Sequence, residues 1–119
     1  MGKLQELQKE AMNQLADYGE KIIPATELVI KELRTGKKED TDELFNLVIQ
    51  GINWEIEIFN NCENIINAES IKIDKTKMAQ AVGRLGKVLQ EKDNIKIAAC
   101  LDVDFLPFLK AMEFAGMSQ

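Results

Sequence analysis

The sequence predicts an all-α protein, an antiparallel up-down-up-down four-helix bundle, from three observations. Apolar residues recur at steps of three, four and seven in four stretches of the 119-residue chain, which is the period of an α-helix. The connections between the stretches are short, so neighbouring helices should run in opposite directions. No alternating stretch is long enough for a β-strand. At this length we expect one domain, residues 1–119.

The first helix is predicted from Lys3 to Thr35. Its apolar spacing keeps its phase through Pro24, so we expect one helix of about 45–50 Å that is kinked at the proline. The alternative is two helices that break between Gly19 and Ile23, with Pro24 in the first turn of the second. Gly36 suits the left-handed position that ends a helix.

The second helix is predicted from Asp40 to Asn67 and contains Trp54, the only tryptophan. Two neighbouring apolar stripes give it a wide apolar face, which indicates contact with more than one helix. Asp40 and Glu43 resemble a capping box at its start. Gly51 costs roughly 1 kcal/mol inside a helix relative to alanine, so it is either the site of a close helix crossing or a tolerated defect.

The third helix, Lys75 to Glu91, follows a short connection from Ala68 to Ile73, and Asp74 is a suitable N-cap for it. Its apolar stripe is narrow. Gly83 and Gly86 lie within it. They either permit close packing or make this the least stable helix of the bundle.

The last helix is predicted to begin after Asp93, a second suitable N-cap. Its apolar residues keep helical spacing from Ile95 to Ala115 and hold their phase through Pro107. We therefore expect a second helix that is kinked at a proline and not interrupted by it.

Composition and charge exclude several classes of protein. The net charge of −5 argues against a nucleic-acid binder, since phosphate contacts need an excess of Lys and Arg on one face. Two cysteines do not make a disulfide framework. The polar N-terminus indicates no signal peptide, and no apolar run is long enough for a membrane span. We expect a cytoplasmic protein.

The residues available for chemistry do not indicate an enzyme. The chain has no histidine, which removes the usual general base and the nucleophile systems that depend on it. The Glu-x-x-His pairs of di-iron bundles are absent, and two isolated cysteines cannot complete a zinc site. No phosphate-binding glycine motif occurs. We expect no catalytic residue, no cofactor and no metal.

Two carboxylates stand out among the remaining polar residues. Glu55 falls within an apolar stripe of the second helix, where a buried charge would be costly unless it is paired. It is either a polar contact in a groove or a solvated carboxylate at the helix edge, and we expect the second. Asp102 and Asp104 are two residues apart and should point to different sides of their helix. For Asp102 a surface position beside the kink is the simpler interpretation.

Two segments resemble a known group of proteins. Val48-Ile49-Gln50-Gly51-Ile52-Asn53-Trp54 resembles the I-x-G-I/L-x-W segment of small all-helical proteins from Gram-positive bacteria of the clostridial type. Leu101-Asp102-Val103-Asp104-Phe105-Leu106-Pro107 is similar to their L-E-Y-E-x-x-P segment, with Asp-Val-Asp in place of Glu-Tyr-Glu. The resemblance covers Ile22 to Lys110. It implies an all-α fold, and some of these uncharacterised proteins are encoded near motility genes.

The function that these features favour is a chaperone- or adaptor-like module that binds an amphipathic helix of another protein in an apolar groove. Such a module should expose a sizeable apolar patch. One alternative is a structural homodimer formed through the first helix, and another is an acidic inhibitor of a basic, nucleic-acid-binding protein. The residues that we expect to contact the partner are Trp54, Glu55, Ile58, Asp102, Phe105 and Phe108.

Overall fold

The computed structural model describes residues 2–67 and 73–117, which form an all-α four-helix bundle. The helices are α1 (Gly2–Thr35), α2 (Thr41–Ile66), α3 (Lys75–Glu91), α4 (Asn94–Cys100), a π-helical segment (Leu101–Phe105) and α5 (Leu106–Met117). The last three follow one another directly and make up the fourth helix of the bundle. The predicted all-α four-helix bundle is confirmed, whereas the up-down-up-down topology of the whole bundle and the kink at Pro107 stay predictions. Most of the predicted connection from Ala68 to Ile73 lies outside the described residues.

The first helix, α1, is the element on which the others pack. It contacts α2, α4 and α5, whereas α3 packs on α4 and the π-helical segment. Near one end of α1 the Gln8 Nε2 donates to the Asn61 carbonyl at 3.0 Å, and near the other Glu32 accepts from Thr41 at 2.6 Å. The start of α2 therefore lies near the end of α1, and the end of α2 lies near the start of α1.

The long first helix is continuous through its proline. A single helix runs from Gly2 to Thr35 with Pro24 inside it. Its 34 residues span about 50 Å, close to the 49 Å of the longest dimension of the molecule. The single helix is confirmed, and the alternative break between Gly19 and Ile23 is wrong. The kink at Pro24 stays a prediction.

The fourth helix is also continuous, but it contains a feature that the spacing did not predict. Between Leu101 and Phe105 the helix widens to a π turn, and the Leu106 N–H bonds to the Leu101 carbonyl, five residues back. Pro107 follows directly. A proline ring clashes with the carbonyl four residues earlier in a regular α-helix, so a wider turn just before Pro107 relieves that crowding.

The helix ends agree with the sequence in three of four places. Asp74 accepts hydrogen bonds from the Thr76 and Lys77 N–H groups, and Asp93 caps α4 in the same way. Gly36 has a φ of +137° after the end of α1. These positions were predicted from local residue type alone.

The capping box predicted for α2 is wrong, because the Asp40 side chain makes no capping hydrogen bond. The next residue, Thr41, instead holds the connection that precedes α2 through its buried hydroxyl. This hydroxyl accepts from the Lys38 N–H at 2.8 Å and donates to the Glu32 carboxylate at 2.6 Å. The connection from α1 to α2 is therefore tied to the last turns of α1.

The core draws apolar side chains from all four helices. Phe59 of α2 meets Phe108 of α5 edge to face, with ring centroids 6.2 Å apart. The largest fully buried apolar side chains are Phe59, Phe105, Met12, Leu15, Ile52, Ile66, Leu101, Leu109 and Met112. Of the four helices of the bundle, α3 is the one that contributes no side chain to that set. The third helix therefore lies at the margin of the core.

Candidate partner-binding groove

An open groove lies between α1 and α2. Its main part has a volume of about 540 Å³. A second hollow of about 170 Å³ continues it towards Ala25 and Leu44 and shares three of its lining residues. The residues that line the main part are Gln14, Asp17, Tyr18, Lys21, Leu47, Gln50, Gly51 and Trp54. Apolar and polar side chains both contribute to this lining.

The groove exists at this point because Gly51 has no side chain. A Cβ there would overlap the hydroxyl of Tyr18 and would lie 2.6 Å from the Cδ1 of Ile22. Both residues belong to α1, so the two helices approach closely here and Tyr18 lies across Gly51. Of the two interpretations of Gly51, the close helix crossing is the one that the structure confirms.

An aromatic pair forms part of the groove wall. Tyr18 and Trp54 meet edge to face with ring centroids 4.9 Å apart and an interplanar angle of 73°. Leu47, whose side chain is 56 % exposed, lies near them along the groove. Trp54 was among the predicted partner-binding residues, and Tyr18 and Leu47 were not. Helical spacing places both on apolar stripes, but it does not tell which stripe residues face solvent.

Glu55 lies behind this wall and is fully buried. Neither of its carboxylate oxygens has a hydrogen-bond partner among the described residues. Burial, followed by the negative charge of Glu113 on α5, raises the pKa of Glu55 to about 8. The expectation of a solvated carboxylate is therefore wrong. Glu55 lies one turn after Gly51, on the face that α2 turns towards its neighbours.

Tyr18 and Glu113 are the titratable groups that interact with Glu55. The pKa of Tyr18 is raised by burial and then by the negative charge of Glu55. Glu113 packs against Gly19 of α1, where an added Cβ would lie 2.5–2.8 Å from its side-chain atoms. Three helices thus bring two carboxyl groups and a phenol together at the inner side of the groove.

Comparison with known families places the chain. A family model described as a domain of unknown function, DUF8042, matches residues 10–114. The chain belongs to this family. The matched region includes every residue that lines the groove, together with Glu55 and Glu113. Comparison with curated proteins and with solved structures gave no significant match.

Three of the predicted partner-binding residues are core residues in this family member. Ile58, Phe105 and Phe108 are buried, so no partner can contact them while the bundle is closed. Each lies on an apolar stripe, and the stripe was correctly expected to be apolar. The direction in which the stripe faces depends on packing against distant helices. Local spacing carries no information about that packing.

Asp102 lies away from the groove, in the π-helical segment. It pairs with Arg34 of α1 at 3.2 Å, whereas Asp104 forms two hydrogen bonds with Arg84 of α3 at 2.9 and 3.0 Å. The two acids point to different helices, as their spacing predicted. Between them Val103 is 70 % exposed. The six predicted residues therefore do not form one site, and only Trp54 lines the groove.

Both cysteines are buried and free. Burial raises the pKa of the Cys62 thiol, and it raises that of Cys100 to about 11, aided by the hydrogen bond from its thiol to Asp104. Because the thiolate is the reactive form, these residues serve as small apolar side chains at neutral pH.

Two features are absent from residues 2–67 and 73–117. This part of the chain contains no group of three or more His, Cys, Asp or Glu side chains that could hold a metal ion. Among its helices, none combines the length and the apolar content that crossing a bilayer requires.

Proposed function

We propose that this protein is a non-enzymatic binding module of the cytoplasm, adaptor- or chaperone-like, that takes an amphipathic helix of another protein in the groove between α1 and α2. The observation that carries the proposal is the groove itself, with Leu47 exposed along it and the Tyr18–Trp54 pair in its wall. Exposed apolar surface in a concave site is typical of protein recognition.

The size of the groove suits a short helix. Its lining runs along α1 from Gln14 to Ala25, which corresponds to about 16 Å, or three helical turns. Apolar anchors spaced by three and four residues on a partner helix could follow this line. Asp17, Lys21 and Gln50, which also line the groove, provide polar contacts for such a helix.

The chemistry of the chain supports a binding role over a catalytic one. The chain has no histidine, and the raised pKa values of both thiols keep them protonated. The ionisable groups that line the main part of the groove are Asp17, Tyr18 and Lys21. These groups can orient a partner through charge and hydrogen bonds.

A homodimer formed through α1 is the alternative. Leu7 and Leu28 of α1 are exposed, and a twofold contact through this helix would cover them. Sedimentation equilibrium distinguishes the two functions, because the binding module is a monomer without its partner and the structural dimer has twice the mass at every concentration.

The groove can be tested with its own tryptophan as the probe. A tryptophan-free amphipathic peptide of about 18 residues, five turns of helix, is titrated into the protein while the Trp54 emission is followed. We expect a saturable change, because Trp54 lines the groove. Leu47→Asp should weaken this binding about tenfold, since it places a charge on the apolar line.

The matched control is Ile95→Asp, because Ile95 at the start of α4 is 58 % exposed, close to the 56 % of Leu47, and lies outside the groove. This variant should bind as the wild type does. Equal weakening by the two variants, or the absence of saturable binding to the wild type, would overturn the proposed function.

A further inference from the structure

Two unusual features meet at the inner side of the groove. One is the aromatic pair of Tyr18 and Trp54, and the other is Glu55, a buried carboxyl group without a hydrogen-bond partner. Glu55 follows Trp54 in the chain and interacts electrostatically with Tyr18. Tyr18 and Trp54 line the groove and Glu55 does not, so the unsatisfied acid lies near the groove without being part of its surface.

The aromatic pair and the unsatisfied acid together favour one kind of ligand. A buried polar group without a partner is costly, and a second acid, Glu113, adds negative charge to the same place. An ammonium ion would supply three N–H donors and the opposite charge. The faces of tyrosine and tryptophan rings attract cations as well. Aromatic rings backed by carboxyl groups are thus suited to an alkylammonium group.

We propose that the partner helix inserts a lysine side chain from its apolar face between Tyr18 and Trp54, and that the ammonium group binds Glu55. This inference rests on the proposed function and names the anchor residue of the partner. The groups that face Glu55 are Tyr18 on α1 and Glu113 on α5. Asp17 and Lys21 also line the groove, so acidic groups outnumber basic ones among these residues.

Lysine fits this path better than arginine does. Its flexible four-carbon stem can lie along apolar surface while it delivers a compact charge. Entry requires the Tyr18 side chain to turn aside. Tyr18 borders the open groove, and the surface beneath its hydroxyl is Gly51. Because the ring centroids of Tyr18 and Trp54 are 4.9 Å apart, the Tyr18 ring must leave its edge-to-face contact with Trp54 for the lysine stem to pass.

Binding of a lysine would also move a proton. In the free protein the raised pKa keeps the Glu55 carboxyl largely protonated at pH 7. When the ammonium group arrives, the O–H bond of the carboxyl group breaks and its proton passes to the buffer. The resulting carboxylate pairs with the lysine ammonium, which keeps its own protons.

The experiment compares two tryptophan-free amphipathic peptides by isothermal titration calorimetry. They differ only at the central position of the apolar face, which is lysine in one and norleucine in the other. We expect the wild type to bind the lysine peptide at least about tenfold more tightly, as for a buried charge pair. Measurements in two buffers of different ionisation enthalpy should show about one proton released per lysine peptide, from the single ionisation of Glu55.

The Glu55→Gln variant keeps the shape of the side chain and removes its charge. It should lose most of the preference for lysine over norleucine, and it should release no proton. Glu57→Gln is the matched control, since Glu57 is exposed on the same helix. This control should keep both the lysine preference and the proton release.

The outcomes separate the two proposals. Equal binding of both peptides to the wild type would overturn the proposed lysine anchor but not the proposed helix-binding groove. A lysine preference that survives in Glu55→Gln would overturn Glu55 as the acceptor. Failure of both peptides to bind would overturn the proposed function too. A dimer whose groove excludes both peptides would assign the groove to a second copy of the chain and overturn both proposals.

Discussion

The glycines of the bundle fall into two regions with opposite packing. On the side formed by α1, α2 and α5, a Cβ at Gly116 would lie 2.7–2.9 Å from Met12, Leu15 and Ala16, and one at Gly51 would overlap Tyr18. In α3, a Cβ at Gly83 or Gly86 would meet no atom within 4 Å. The same residue type therefore permits close contact in one region and only weakens the helix in the other.

The two regions also differ in how they hold charge. The α1–α2–α5 side buries Glu55 without a partner, whereas α3 is linked to its neighbours by the partly exposed pairs Arg84–Asp104 and Lys75–Glu63. Exposed pairs contribute little to stability. The difference indicates that tight packing sustains a costly buried group, and it predicts that α3, held by few buried side chains, opens before the other helices.

The largest expected effect concerns Glu55 and pH. Its pKa of about 8 in the folded protein lies above its ordinary value of 4.5, so the folded state holds the proton more tightly than the unfolded state does. The stabilisation from this proton is complete below about pH 4.5 and is lost as the pH rises through about 8. From the size of the shift, the free energy of unfolding should fall by on the order of 3–5 kcal/mol across that range.

Urea denaturation from pH 5 to pH 8 measures this loss, and Glu55→Gln is the comparison because it cannot ionise. No histidine is present to titrate near neutrality. The lowered pKa of Asp104, caused mainly by its hydrogen bond with Arg84, acts with the opposite sign, and its stabilisation is lost only in acid. If the free energy of unfolding depended on pH in the same way for the wild type and the variant, Glu55 would not have the raised pKa that burial gives it.

The second effect tests the close contact between α1 and α5. In Gly116→Ala the new methyl group would meet the Met12 carbonyl and the Ala16 nitrogen, which are backbone atoms that cannot rotate away. We expect the free energy of unfolding to fall by about 2 kcal/mol, measured by urea denaturation at constant pH.

Gly19→Ala provides the control for that variant. The three atoms nearest to its methyl group would be side-chain atoms of Glu113. The Glu113 Cγ and carboxylate can rotate away although its Cβ cannot, so the loss should be smaller than at Gly116, where two of the three atoms belong to the backbone. If Gly116→Ala were as stable as the wild type, the two helices would be free to separate and the packing contrast would not hold.

Features that depend on neighbouring residues could be predicted from the sequence. Asp74 and Asp93 cap their helices because an aspartate side chain accepts from N–H groups two and three residues ahead. The unbroken phase through Pro24 indicated one long helix for the same local reason. The close crossing at Gly51 was one of two alternatives, since a helical glycine has two explanations until its neighbour is known.

Features that depend on distant residues could not be predicted. The burial of Glu55 is decided by the helices that pack on α2, and part of its raised pKa comes from the charge of Glu113, which is 58 positions away (113 − 55). The π turn adds a residue between Leu101 and Phe105. Apolar residues on both sides of that turn fit more than one helical register, so periodicity does not reveal the insertion. Leu47 and Tyr18 are candidate binding residues because α1 and α2 form a groove between them, and that groove depends on contacts between distant residues.

The smallest expected effect has the opposite sign and comes from α3. Gly83→Ala and Gly86→Ala should each raise the free energy of unfolding by about 0.5–1 kcal/mol, because alanine loses less backbone entropy in a helix than glycine does. No clash opposes this gain, since a Cβ at either position meets no atom within 4 Å.

Urea denaturation measures the global gain, and amide hydrogen exchange shows where it lies. If α3 opens before the rest of the bundle, the variants should slow exchange most strongly in α3, with little change in α1. A loss of stability in either variant would mean that these glycines touch a neighbour after all. In that case Gly83 and Gly86 would join Gly116 as contact positions, and α3 would have to be counted with the tightly packed side of the bundle.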